Sequence, residues 1–393
     1  MKKFNRINVI VLDSVGIGQM PDCEKYGDSG VNTLGNISHE VGLEMPNMAK
    51  LGLGNINYIK TVLPSELPSS NFTKMNEVAD GKDTLTGHWE MMGCTLKKGF
   101  KQFVDNGFPE ELIKEFEKRT GRGVIANKEA NGMNVIKEYF KEHVETGKYI
   151  IYTSVDSTFQ IAAHEDVISL EELYDACKIA RELTIDPKYN IARVIARPFI
   201  GDFENFSRTA NRHDYAMDPF NDTVMDYLLD AGLDSIAIGK INDIFNGKGI
   251  SKAYGIKSNM DGVDKNIEIL NSDNVKGLIF TNLVEFDSSY GHPRDVSGYR
   301  DCLEEFDKRI PEILSALKED DLLIITADHG NDPTFKGNNH TREYVPLIVY
   351  SKSLIGNNEL KQRSTFADLG QTIAENFEVR AINTGNSFLK ELK

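Results

Sequence analysis

Cysteine is scarce in this chain, with four among 393 residues, at positions 23, 94, 177 and 302, and no C-x-x-C pair. That spacing excludes a disulfide framework and a thiolate zinc site, and reduced cytosolic thiols are the expectation. Long apolar runs are missing too, so no segment reaches the roughly 20 residues that a bilayer-spanning helix requires. Lys2, Lys3 and Arg6 precede apolar Ile7–Leu12. The run is short, however, and Asp13 closes it without a small-residue cleavage site, which marks a buried strand rather than a secretion signal. The expectation is a cytoplasmic enzyme with no membrane partner. Positive charge is also in deficit, 45 Lys and Arg against 60 Asp and Glu for a net charge of -15. This excludes nucleic acid as a general partner, because phosphate backbones are bound by clustered Lys and Arg. An acidic protein still binds phosphate locally, through metal ions and a few placed cations. Internal repeats and low-complexity tracts are not evident.

What is present is the composition of an ordinary globular protein, 40% hydrophobic and 27% charged, in a chain longer than one compact core usually holds. Apolar strand-like runs alternate with amphipathic helical stretches, which predicts an α/β protein whose mainly parallel sheet is flanked by helices. One ligand-bearing strand lies at the start and two in the last third, so a core domain with an insertion is expected. The insertion has strand-like 149–154 and 192–197 separated by helical 170–183. Polar connections near 97–102 and 211–218 set the expected limits: residues 1–100 and 218–393 as the core, and 101–217 as a smaller α/β cap.

Three apolar runs end in candidate metal ligands: 7–12 before Asp13, 277–286 before Asp287 with His292 close behind, and 322–327 before Asp328 and His329 with His340 following. In parallel α/β sheets the ligand crevice lies beyond the carboxyl ends of the strands. A lone His or Asp at such a place is commonly a hydrogen-bonded or turn residue. Three strands converging with the same chemistry point instead to metal. Mixed oxygen and imidazole donors suit Mn²⁺, Zn²⁺ or Mg²⁺, with the imidazoles favouring the first two. Six donors exceed what one open catalytic ion takes, so a pair of ions serving a phosphoryl-type displacement is expected.

A nucleophile candidate lies in Asp80–Glu90, where a Gly-containing segment feeds a helical run and would bring a positive helix end to a hydroxyl. Residue chemistry leaves Thr84 and Thr86 open as nucleophiles, and equally as capping residues beside Asp83. In the insertion, Ser154 and Asp156 end one strand. Arg193 and Arg197 share a face of the next, and Arg208, Arg212 and His213 follow. Guanidinium forks suit phosphate and Asp156 suits sugar hydroxyls, with Lys240 at the end of a core strand as a further cation.

V-I-V-L-D-S-V-G-I-G at 9–18, G-K-D-T-L-T-G-H-W-E at 81–90, R-V-I-A-R-P-F at 193–199, N-R-H-D-Y at 211–215, T-A-D-H-G-N-D at 326–332 and H-T-R-E-Y at 340–344 together resemble the alkaline phosphatase superfamily. Within it they resemble the bacterial, manganese-dependent phosphopentomutase family, over the full length. That resemblance implies an alkaline phosphatase-like core with an inserted cap and two Mn²⁺ ions, one held by Asp287, His292 and His340 and the other by Asp13, Asp328 and His329. It selects Thr84 as the phosphoryl carrier. It implies interconversion of α-D-ribose 1-phosphate, or its 2-deoxy form, with the 5-phosphate through a bisphosphorylated sugar. Ribose 1,5-bisphosphate or glucose 1,6-bisphosphate would prime the enzyme, with sugar phosphates as the only partners implied. Ser154, Asp156, Arg193, Arg208 and Lys240 are the implied substrate contacts. Glu285, where relatives commonly have Asp, and Pro293, where they have a basic residue, depart from the pattern without replacing a ligand. A cofactor-independent phosphoglycerate mutase or a metal-dependent phosphatase of the same superfamily is the alternative.

Overall fold

Strands buried on both faces read as continuous apolar runs rather than as alternating ones, and this chain builds its main sheet around three of them. In chain order the strands are β1 (Arg6–Leu12), β2 (Asn71–Met75), β3 (Val124–Glu129), β4 (Tyr149–Thr153), β5 (Thr158–His164), β6 (Arg193–Ile200), β7 (Ser207–Arg208), β8 (His213–Ala216), β9 (Asp234–Ile238), β10 (Lys252–Tyr254), β11 (Gly277–Leu283), β12 (Asp321–Thr326), β13 (Val345–Tyr350) and β14 (Asn358–Glu359). The computed structural model describes residues 4–154, 157–272 and 274–393. It divides into one unit of Met1–Gly99 with Pro219–Lys393 and a second of Phe100–Asp218.

The first unit holds an eight-stranded sheet in the order β10-β9-β11-β1-β12-β13-β2-β14. β10 through β12 run parallel, whereas β13 is antiparallel to both of its neighbours. β1, β11 and β12 are buried at every position. They are also adjacent, with Leu12 opposite Leu283 and Val11 opposite Thr326. Neighbouring strands lie about 4.8 Å apart, so the residues that follow these three ends are delivered to one place. Asp13 and Asp328 come directly off strand ends. Asp287 comes from a wide π-helical turn, Phe286–Gly291, with His292 as its C-cap; such turns are common at functional sites because they re-aim side chains.

The second unit is a mixed sheet in the order β3-β4-β5-β6-β7, with β8 on β6. β5 is an element that the sequence reading passes over: Thr158–His164 is buried at every position and pairs antiparallel to β4 and parallel to β6. Side-chain alternation separates the two faces. Tyr149, Ile151, Phe159, Ile161, Val194 and Ala196 pack with helices Glu110–Thr120 and Leu170–Thr184. Ile150, Tyr152, Ala162 and Phe199 pack with helix Gly132–Thr146. By the same alternation Arg193 and Arg197 share this second face. All four cysteines are free and buried. Among the described residues no helix is long and apolar enough to cross a membrane.

Candidate metal centre

Where the three adjacent strands end, their charged residues meet. One donor atom from each of Asp13, Asp328 and His329 lies within 4.8 Å of the others, and Asp287, His329 and His340 form a second group by the same measure. His329 belongs to both. Its Nε2 is 3.5 Å from Asp13 Oδ1 and 3.3 Å from Asp328 Oδ2. His292 joins the second group, with Nε2 at 3.2 Å from Asp287 Oδ2 and 3.2 Å from His340 Nε2. His340 Nε2 is 3.3 Å from Asp287 Oδ1.

The proton positions on these rings follow from their outer partners. A carbonyl only accepts hydrogen bonds, so a ring nitrogen beside one must carry the proton. His292 Nδ1 is 2.8 Å from Asn338 O, His329 Nδ1 3.0 Å from Gly330 O, and His340 Nδ1 2.8 Å from Lys82 O. In the neutral rings all three Nε2 lone pairs therefore point into the cluster, the arrangement found in metal-ligating histidines. Two lone pairs facing each other at 3.2 Å, as on His292 and His340, repel unless a cation or proton sits between them. Asp13 Oδ1 and Asp328 Oδ2 are buried and accept no hydrogen bond, which is costly for a carboxylate without a counter-charge. Bare carboxylate oxygens and converging imidazole lone pairs fit divalent Mn²⁺ or Zn²⁺.

Electrostatics agree with that fit. Burial, then the Asp328 and Asp287 charges, push the Asp13 carboxyl up to about 7, against the opposing pull of His329 and Lys240. Burial would raise Asp287 as well, but the imidazoles of His340 and His292 hold it well below the usual carboxylate range. Asp328 lies below its ordinary value because His329 and His88 outweigh its burial, and His329 is raised because Asp328 and Asp13 outweigh its own.

Thr84 is the first residue of helix Thr84–Met91, which is buried at every position. Asp83 caps the helix, its Oδ1 accepting from Leu85 N at 3.0 Å and Thr86 N at 3.2 Å. The Thr86 hydroxyl closes a capping box, donating to Asp83 O at 2.8 Å and accepting from Asp83 N at 3.2 Å. The Thr84 hydroxyl instead lies 3.3 Å from His329 Nε2. Two of the helix-end amides expected to greet a substrate anion are thus already bound by Asp83, as N-caps do.

Several supporting residues escape the sequence reading. Asn282 Nδ2 donates to Asp13 Oδ2 at 2.8 Å, Asn331 Nδ2 donates to Asp287 Oδ1 at 2.7 Å, and Ser14 N donates to Asp328 Oδ1 at 3.0 Å. Arg294 bonds Asn331 Oδ1 and the carbonyls of Gly291, Gly337 and Asn339. The available signal was an asparagine inside the apolar run 277–283, since a buried amide must find partners.

Lys240 follows β9 and is close enough to Asp13 to act on its charge. In the second unit, Ser154 Oγ is 3.1 Å from Thr158 Oγ1, Arg193 Nη1 is 3.8 Å from Asp214 Oδ2, and Arg208 Nη2 is 3.5 Å from Tyr152 Oη. Gly132 makes room for Arg208: a Cβ there would lie 1.7 Å from its Nη2. Arg197 donates to Gln160 Oε1 at 3.0 Å, and Arg212 forks onto Asp214 with both contacts at 2.8 Å. The His213 ring stands edge-on to Tyr215. Asp156 lies outside the described residues.

The profile of the Metalloenzyme superfamily matches residues 5–381. Among solved structures, a phosphoglycerate mutase of Leishmania mexicana aligns with 13% identity and a TM-score of 0.52, covering 98% of this chain and 97% of that one. The PH0037 protein of Pyrococcus horikoshii aligns with 12% identity and a TM-score of 0.49 over 96% and 98% of the two chains. An alkaline phosphatase from the Antarctic bacterium TAB5 aligns with 13% identity and a TM-score of 0.36 over 97% and 99%. At 13% identity the likeness to the mutase speaks for the fold alone.

Proposed function

The chain belongs to the Metalloenzyme superfamily, and from that membership we propose that it is a phosphopentomutase, interconverting ribose or 2-deoxyribose 1-phosphate with the 5-phosphate. The observation that carries this reading is the Thr84 hydroxyl, 3.3 Å from the one imidazole common to both ligand groups. Asp13, Asp328 and His329 would hold one Mn²⁺, and Asp287, His292 and His340 the other. Such ions neutralise charge on a transferring phosphoryl group and ease formation of an anionic Thr84 oxygen.

Phosphorylated Thr84 gives its phosphoryl group to the free hydroxyl of the bound sugar monophosphate. The bond from phosphorus to Thr84 Oγ1 breaks as the bond to the sugar oxygen forms, and the proton lost by the sugar hydroxyl is balanced by the one that the departing Thr84 oxygen takes up. The resulting bisphosphate turns around and returns its other phosphoryl group to Thr84, releasing the isomer. A bisphosphorylated sugar, ribose 1,5-bisphosphate or glucose 1,6-bisphosphate, primes the free hydroxyl. Ser154, Asp156, Arg193, Arg208 and Lys240 contact the sugar and its other phosphate in this reading, guanidinium forks matching phosphate oxygens in pairs.

The second reading is a phosphoglycerate mutase, an activity that the solved Leishmania protein carries on the same fold. Primed, Mn²⁺-loaded protein is expected to convert ribose 1-phosphate to ribose 5-phosphate in a coupled assay. Turnover of phosphoglycerate without ribose 5-phosphate formation would overturn the first reading in favour of the second.

A further inference from the structure

His88 is fully buried and stands between the nucleophile's helix and the ligand strands, yet it belongs to neither ligand group. Its Nδ1 lies 2.9 Å from Thr84 O, so this nitrogen carries the proton. Asp328 Oδ2 sits beside it at 3.2 Å, near enough for attraction although it accepts no hydrogen bond. On the other side of the ring, Asn282 Nδ2 approaches His88 Nε2 at 3.3 Å and donates to Asp13 Oδ2 at 2.8 Å. One amide group thus holds the far oxygen of Asp13 and the far nitrogen of His88. Asp13 Oδ1 is left facing His329 without a hydrogen bond.

The neighbouring residue shows how close this docking is. A Cβ on Gly87 would lie 2.1 Å from Asp328 O, so the helix touches the β12 terminus backbone to backbone. The ring of His88 packs on Phe280 at 5.7 Å. Gly87 sets the distance and His88 the polar bond, which explains why threonine, glycine and histidine occur together in 84–88.

We propose that His88 is a positioning residue: with Asn282 it fixes Thr84 and the Asp13–Asp328 oxygen pair in one frame, so that the hydroxyl and the ion held by Asp13, Asp328 and His329 come into register. This rests on the reading of Thr84 and the two ions given above. Removing the ring leaves one buried N–H of Asn282 without its acceptor and frees the Asn282 amide, and Asp13 with it, to turn. Outer partners of this kind typically contribute about 10–100-fold in metal affinity.

The test is Mn²⁺ titration of the metal-stripped full chain by calorimetry. His88→Phe is expected to weaken one of the two ions by about 10–100-fold and leave the other within about twofold, while slowing phosphorylation of Thr84 by a sugar bisphosphate. His88→Asn keeps an amide N–H near the Nδ1 position and should recover part of the phosphorylation rate. If His88→Phe does not fold, Asn282→Leu should weaken the same single ion. Both ions bound with unchanged affinity, or both weakened equally, would overturn the positioning role. Wild-type protein that binds fewer than two ions would instead overturn the reading of the site itself.

Discussion

The two units carry charge in opposite ways. In the first, carboxylates and imidazoles lie at strand ends with side-chain exposures of 0–6% for Asp13, Asp287, Asp328, His329 and His340. In the second, guanidiniums lie on and around one sheet face with side-chain exposures of 21% for Arg193 and 47% for Arg212. Water and neighbouring groups relieve the second set. In the first, single hydrogen bonds from Asn282, Asn331 and the Ser14 amide reach Asp13, Asp287 and Asp328, and cations or protons must do the rest, because buried like charges are poorly solvated and poorly screened. Loss of one group in the core should therefore change chemistry and metal content, whereas loss of one arginine should change binding of an anion by a modest factor.

The largest expected effect is at Thr84. Thr84→Val keeps the shape of the side chain and removes the oxygen, so mutase turnover should fall by at least about 10³-fold with the fold intact. Retained turnover in the coupled assay would show that the core centre does not work through this residue. His340→Ala comes next: metal analysis should find one tightly held Mn²⁺ instead of two, with turnover down by about 100-fold or more. Two ions still bound would remove His340 from the ligand set.

The pH dependence sharpens the same contrast. Metal binding requires ionised Asp13, whose carboxyl stands at about 7 before an ion arrives. Protons therefore compete on Asp13 below that value, and His329, itself raised, must also be neutral to ligate, so Mn²⁺ affinity should drop by at least about tenfold for each pH unit below 7. Affinity independent of pH between 5 and 7, as about two decades of titration would read it, would contradict the buried-charge picture.

Arg208→Ala should raise KM for ribose 5-phosphate by about tenfold, the worth of one charge-assisted hydrogen bond, and leave Mn²⁺ content unchanged. A loss of metal on this change would erase the difference between the units. The exposed Arg119–Glu182 pair marks the lower limit. Arg119→Ala should cost under about 1 kcal/mol in thermal unfolding and nothing in turnover.

The strands that position the site were legible because their apolar runs are long and unbroken. Ile7–Leu12 falls within β1, 277–283 is β11, and Leu322–Thr326 falls within β12. That they are neighbours is a matter of sheet order, which no local pattern encodes. β5 escaped notice because its run follows β4 after only a short connection, and so reads as part of the same stretch. The division of labour between Thr84 and Thr86 was open from residue chemistry alone. Both lie in the first turn of one helix, and only the capping box on Thr86 and the contact of Thr84 with His329 tell them apart. His88, Asn282 and Asn331 were passed over for a related reason. A buried amide or imidazole shows its partner only when helix and strand have docked, and the sequence separation from Asp13 to Asn282 is 269 residues.

The most direct measurement is the mass of the Mn²⁺-loaded chain after incubation with ribose 1,5-bisphosphate, followed by mapping of the modified peptide. One phosphoryl group on Thr84, absent from Thr84→Val and transferred to added ribose 5-phosphate, is the expected result. An unmodified chain that nevertheless interconverts the pentose phosphates, or a phosphoryl group on another residue, would contradict it.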